Sequence, residues 1–351
     1  MRVVVDVAPL SHVRTGVGNY IRGSLAGIAE AARDEHELVA FAPASPRGKR
    51  EIESSIAGLE VEARLPVVPA AHALRTAWSR LGTPPVETVV GELDVFHFSD
   101  WMYPPQRAGI RSTMVHDLVP LHFPDWVHRR TLRMHGAKYR HAARACDVVM
   151  VNSRFTGDDV AATLGVARDR IHVAYPGVDR AFKPDGPKAG GEYLLAVGTL
   201  EPRKNVAVAI QAAQALGMEL RVVGSKGWGG VEARGRGVTW LGFPADDELP
   251  PLYRGAAAFI YPSRFEGFGI PVIEAMACGT PCVVSAHPSL DEAAGDAALR
   301  ADPDDAATFA GAIELALAER EELGRRGLEH ASRFTWLDNG RSHLAAWTGA
   351  R

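Results

Sequence analysis

The sequence predicts an α/β chain folded as two doubly wound parallel-sheet domains in tandem. Three observations predict it. Apolar, β-branched runs alternate with helix-periodic stretches in two successive series. The segment between them, Tyr175 to Tyr193, collects prolines and glycines as a polar linker does. In the second series the stretch Tyr261 to Ser285, YPSRFEGFGIPVIEAMACGTPCVVS, reads as strand end, glycine loop, helix and strand. With 351 residues, 46% of them hydrophobic, there is material for two cores.

The first series opens on Arg2 to Val7, RVVVDV, a run suited to a central parallel strand. Gly16 and Gly18 then precede a helix whose apolar positions Val17, Ile21, Leu25 and Ile28 recur three and four apart. Gly-x-Gly there is either a tight turn or part of a dinucleotide fingerprint, but Ile21 occupies the place of its third glycine. Further strands are expected at Glu37 to Phe41, Asp94 to Phe98, Thr113 to His116, Asp147 to Asn152 and Ile171 to Tyr175. Between Arg64 and Pro85 the pattern breaks, leaving an amphipathic surface helix that meets a membrane or lipid carrier, or a helix packed on the core.

His116 and Asp117 fall where a strand ends, the place where ligand chemistry gathers. A neutral histidine can hold a sugar hydroxyl, or it can be structural. Arg129, Arg130, Arg133, Lys138, Arg140 and Arg144 form a basic band, either a solvated face or an attractant for a phosphorylated acceptor. Ser153 is placed to cap the next helix.

In the second series, Tyr193 to Gly198 is a strand and TLEPRKN a loop carrying Arg203 and Lys204, two cations beside a helix start that suit a diphosphate. Strands follow at Leu220 to Gly224, Val238 to Gly242, Ala256 to Tyr261 and Pro281 to Ser285. Gly224 to Gly230 is a loop that either closes over a base or is plain surface. Pro271 suits a first helical turn and Gly279 a helix end, so the helix between runs to Cys278. After Asp302 come acidic, alanine-rich helices, and Trp336, Leu337, Leu344 and Trp347 mark a last amphipathic one.

Charge excludes little but decides one point. Through Arg180 there are 22 basic and 20 acidic residues, and beyond it 17 and 22; the halves carry +2 and −5, which sum to −3. This is too mild for general nucleic-acid binding. Cys146, Cys278 and Cys282 lack metal-ligand companions and read as reduced thiols of a cytosolic protein. Neither a signal peptide nor a spanning run is expected.

Glu266 and Glu274 flank the loop EGFG and its proline. By themselves they are either ligand-binding acids or acids favoured at a helix N-terminus. Their spacing, with YPGVD (Tyr175 to Asp179) and GTLEPRKN, resembles the signature of the retaining, nucleotide-sugar-dependent glycosyltransferases of the GT-B fold numbered family 4. HDLVP (His116 to Pro120) is similar to the mannosyltransferase-like branch of that family. The resemblance implies two Rossmann-like domains facing a central cleft: an acceptor domain 1–180, a donor domain 181–334, and a terminal helix 335–351 crossing back to the first.

It implies that Glu266 binds sugar hydroxyls and Glu274 the ribose, that His116 and Glu266 serve catalysis, and that Gly16, Gly18, Gly198, Arg203, Lys204, Gly267, Phe268, Gly269 and Ile270 complete the donor site. The chain departs from the commonest pattern at Thr199, where arginine is frequent. Arg203 is expected to take over that contact. The expected donor is GDP-mannose, with a UDP-hexose as alternative, and no obligatory metal is expected, as in the family, since no Asp-x-Asp lies at a suitable strand end. The acceptor is a glycan or lipid-linked saccharide, met in the cytoplasm with peripheral inner-membrane contact as a further possibility. An epimerase or phosphorylase of the same fold, and a non-catalytic nucleotide-sugar-binding protein, stay open as rivals.

Overall fold

The computed structural model describes residues 1–12, 16–99, 101–227, 230–232 and 234–350. Its contacts divide the chain into two units. The first comprises Met1–Pro124, His128–Gly177 and Thr335–Arg351, and the second Asp125–Val127 and Val178–Phe334. Apart from the short segment Asp125–Val127, the polypeptide leaves the first unit after Gly177 and returns to it after Phe334.

The first unit holds a seven-stranded sheet: β1 Arg2–Asp6, β2 Glu37–Phe41, β3 Glu62–Arg64, β4 Val95–Phe98, β5 Ile110–Val115, β6 Val148–Val151 and β7 Ile171–Val173. Their order is β3-β2-β1-β4-β5-β6-β7, and every pairing is parallel. β4 and β6 are buried along their whole length, which is why β6 is an unbroken apolar run and β4 departs from one only at His97, rather than either alternating. The short, half-polar β3 carried no such signal.

The second unit holds β8 Tyr193–Val197, β9 Glu219–Val223, β10 Val238–Gly242, β11 Ala258–Tyr261, β12 Cys282–Ser285 and β13 Ala298–Ala301. The order is β10-β9-β8-β11-β12-β13, again all parallel. Both sheets reverse their winding beside their first strand, between β1 and β4 and between β8 and β11. β13 escaped the sequence reading because ALRA places an arginine in an edge strand.

Gly16 and Gly18 lie inside the helix Gly16–Ala32 rather than on a loop before it. That helix packs against the terminal helix Trp336–Gly349 at very short range. A Cβ on Gly27 would lie 1.8 Å from the Trp336 carbonyl oxygen, and one on Gly340 would lie 2.0 Å from that of Gly27. Only glycine admits this backbone-to-backbone approach. Asn339 then bonds inward to the Tyr20 hydroxyl and to the carbonyls of Ala174 and Tyr175.

The irregular stretch after Arg64 contains the helix Ala71–Leu81, which buries Arg75 and Trp78 while leaving Leu74 and Leu81 44% and 70% exposed. In the helix Arg129–Ala145, Lys138 does not join the basic band. It is buried, and its Nζ donates to the carbonyls of Ser99 and Met114. Ser153 Oγ accepts from the Thr156 amide at 2.9 Å and caps the helix Arg154–Leu164. Trp228 and Gly229, in the loop after Gly224, lie outside the described residues.

Candidate active site

The switch point of the second sheet lies at the carboxyl ends of β8 and β11, the place where a doubly wound sheet exposes a ligand crevice. After β8 the chain forms a tight 3-10 turn, Pro202–Lys204, whose last residues are the two cations. After β11 it runs through Pro262 to Glu266 and enters the helix Ile270–Ala277. The Arg264 amide donates to the Arg203 carbonyl at 2.9 Å, so main chain ties one loop to the other.

Side chains then converge on Glu266. Its Oε1 accepts from Lys204 Nζ at 2.6 Å and from the Tyr261 hydroxyl at 3.0 Å, while Oε2 accepts from Arg203 Nη1 at 2.6 Å. Arg203 also reaches Glu201 through Nε at 2.6 Å. The Glu266 amide donates to Ser289 Oγ, which His287 Nδ1 meets from the other side. Burial alone would raise the pKa of this carboxyl, but Arg203 and Lys204 outweigh it and hold it at about 2. Burial and Arg203 lower the Lys204 pKa, with Glu266 opposing them. Two cations and two carboxylates make a formally neutral, nearly dry cluster.

Gly269 caps the helix with φ of 109°, and a Cβ there would press to 2.9 Å from Leu290 Cδ2. Glycine is thus required on two grounds. Gly267 and Phe268 are buried with it, and the Phe268 ring packs edge-on to Phe334 at 5.2 Å. Phe268 therefore anchors the loop by its side chain and offers a ligand only main chain. Because the helix begins at Ile270, one residue before Pro271, Glu274 sits in its second turn, not its first. Glu274 is 8% exposed, and its Oε2 accepts from the buried Tyr253 hydroxyl at 3.1 Å. Gly198 directly follows β8, and a Cβ on it would lie 3.3 Å from Lys204 Cδ.

His116, Gly16 and Gly18 belong to the first unit. His116 follows β5 directly, its ring edge-on to Tyr20 at 5.0 Å. Its Nε2 is buried and has no partner among the described residues. Burial, then Lys138 and His135, push its pKa down to about 3, so the imidazole is neutral near pH 7. A neutral ring with one nitrogen unengaged can accept or donate a single hydrogen bond to a ligand.

The structure thus brings Arg203, Lys204 and Glu266 into direct contact and sets Glu274 beside the same loop. Sequence reasoning missed Tyr261, Glu201, Ser289 and Tyr253. Tyr261 was visible only as a strand end, and Glu201 lies two residues before Arg203 without any periodic signal.

Two family models match the chain in succession: Glycosyltransferase Family 4 over residues 16–182 and Glycosyl transferases group 1 over residues 178–331. The chain is 29% identical to the O-antigen chain mannosyltransferase B of Escherichia coli, over 96% of each protein. It is 31% identical to the O-antigen chain mannosyltransferase RfbU of Salmonella typhimurium over 58% of this chain and 60% of that relative. Among solved structures, HepE of Anabaena in complex with UDP and glucose superposes with a TM-score of 0.69 at 18% identity, covering 99% of both chains. With both sheets wound as a GT-B enzyme requires and both halves matched by its models, the chain belongs to the family 4 glycosyltransferases.

Proposed function

We propose that this glycosyltransferase moves mannose from GDP-mannose to a hydroxyl of a glycan or lipid-linked saccharide, with retention at the anomeric carbon. The observation that carries the reading is the Glu266 carboxylate gripped by Arg203 and Lys204 at the second switch point. The similarity to O-antigen mannosyltransferase B along the whole chain supports the choice of sugar. In this reading the second unit holds the donor and the first the acceptor, in the cytoplasm or at the inner face of its membrane. Among the described residues no helix is long and apolar enough to cross a membrane.

Departure of GDP leaves negative charge on the diphosphate. Lys204, Arg203 and the N-terminal dipole of the helix Ile270–Ala277 stabilise that charge, already oriented and largely shielded from water. Glu266 shares these cations with the diphosphate and accepts hydrogen bonds from the sugar hydroxyls; Glu274, steadied by Tyr253, holds the ribose. His116 hydrogen-bonds the sugar as its bond to phosphate lengthens. No carboxylate is assigned as a glycosidase-type nucleophile: the acceptor hydroxyl attacks the face that the diphosphate leaves, the bond to phosphate breaks, and the hydroxyl proton passes to the departing phosphate.

A thermal-shift screen of nucleotide sugars, followed by GDP release with and without saccharide acceptors, tests this. Stabilisation by GDP-mannose and acceptor-dependent GDP release are expected; a new free or epimerised sugar without transfer sinks the transferase reading. UDP-glucose is the second reading, because a chain of similar fold was crystallised with UDP and glucose. Turnover of UDP-glucose alone would replace the donor and leave the reaction type.

A further inference from the structure

The switch point of the first sheet lies at the carboxyl ends of β1 and β4, where a doubly wound sheet also binds ligands. Separate segments carry cations and N–H donors to it. His12 follows the short 3-10 turn after β1, and Trp101 stands three residues beyond the end of β4. His72 and Arg75 share one side of the helix Ala71–Leu81, and Arg130 stands at the start of Arg129–Ala145.

Arg75 is 3% exposed, yet its guanidinium has neither a hydrogen-bond nor an ion-pair partner among the described residues, and its Nε is fully buried. The Trp101 indole N–H is buried without an acceptor as well, and its ring stands edge-on to His72 at 5.1 Å. Arg130 Nη2 donates to His72 Nε2, which leaves Nδ1–H as the free donor of that ring. Burial lowers the pKa of His12 and His72, and the charges that act on them are all cationic: Arg75 on the first; Arg130, Arg75 and His12 on the second. A buried guanidinium without an acceptor opposes folding, and so does each lone N–H. A bound oxyanion would satisfy all of them together.

We propose that Arg75, Trp101 and His72, with Arg130 and His12 at the exposed rim, form a phosphate site at the first switch point that takes a phosphoryl group carried by the acceptor. Arg75 offers a fork matched to two phosphate oxygens, and the indole and imidazole N–H groups meet the others. The acceptor part rests on the transfer reaction proposed above; the anion site does not. The acceptor class is then a phosphate-bearing one, either a soluble phosphosugar or a saccharide on a lipid phosphate.

Thermal melts of the full chain in inorganic phosphate test the site. Wild type should melt about 2 to 4 °C higher in saturating phosphate, and Lys204→Ala, which disables the diphosphate clamp of the second unit, should keep most of that shift; the Arg75 and Trp101 variants are read in that background. Arg75→Met should lose the response while melting at or above wild type without phosphate, since it removes an unpaired buried charge. Trp101→Phe, which keeps the ring and removes the N–H, should weaken phosphate binding several-fold. A full response from Arg75→Met overturns the site, and so does a wild type that ignores saturating phosphate. Titration with glucose 1-phosphate, against flotation with vesicles carrying an isoprenyl phosphate, separates the two sources; binding to neither overturns the acceptor class. GDP release from GDP-mannose by wild type stands apart, so a failed transferase reading is distinguishable from a failed anion site.

Discussion

At the switch point of the second sheet, Arg203 and Lys204 meet carboxylates at 2.6 Å, whereas at the switch point of the first, Arg75 is more deeply buried and has no side-chain partner among the described residues. The same topology thus supports two electrostatic strategies. A neutral cluster fixes the geometry of its cations before a ligand arrives and weakens their net pull. An unpaired cluster keeps its full pull and costs stability until it is occupied.

Glu266→Gln breaks the neutral cluster most directly. Turnover should fall about a thousand-fold, the loss expected when a preorganised transition-state contact is removed. GDP affinity should rise instead, by about 1 kcal/mol or a few-fold, because the two cations no longer share themselves with a carboxylate. Steady-state rates with calorimetric GDP titration read both signs. A parallel loss of turnover and GDP affinity would mean that Glu266 holds the loops together rather than competing with the diphosphate.

The two clusters differ in legibility for a physical reason. Arg203, Lys204 and Glu266 sit on loops bounded by strong signals, a strand glycine, a helix start and the EGFG turn, so sequence alone places them at strand ends. The anion cluster draws on four separate segments, and Arg75 reads as one more cation on a surface helix until packing buries it. Lys138 misleads in the same way, since helical periodicity cannot show that Ser99 and Met114 carbonyls receive its ammonium. The buried strands were plain from their β-branched runs. β3 and β13 were not, because an edge strand keeps one side unpaired and tolerates EAR or ALRA.

His116→Ala sharpens the comparison on the side of the first unit. Turnover should drop about a hundred-fold while GDP binding stays nearly intact, since the bond proposed for it strengthens as the sugar leaves. Full turnover in the variant would remove His116 from the reaction. Glu274→Ala should do the opposite and weaken GDP by about ten- to a hundred-fold, or 1.5 to 3 kcal/mol for a hydrogen-bonded charge. Unchanged calorimetric affinity would take Glu274 out of the ribose site.

The smallest expected effect, a difference in acid sensitivity, follows from which groups each unit buries. In the first unit burial lowers the pKa of His116 to about 3 and of His343 to about 4, and burial with Lys138 lowers that of His135 to about 4. His97 is lowered well below 6.5 by burial, His343, Lys138 and His116. These rings stay neutral in the folded chain and charge more readily in the unfolded one. Their stabilisation is therefore complete above pH 6.5 and is lost as pH falls from there towards 4. Glu266 is depressed from 4.5 to about 2, so the stability it lends the second unit is complete above pH 4.5 and goes only between 4.5 and 2. His287 and His330 of the second unit are lowered as well, but both are only half-buried. Between pH 7 and 5 the first unit should consequently loosen more than the second. Hydrogen exchange, corrected for intrinsic rates, should show protection falling several-fold in peptides from β4 and the terminal helix relative to those from β11 and β12. Equal changes in the two sets would mean that these histidines are reached by water and proton without opening the first unit, and that their burial does not control its stability.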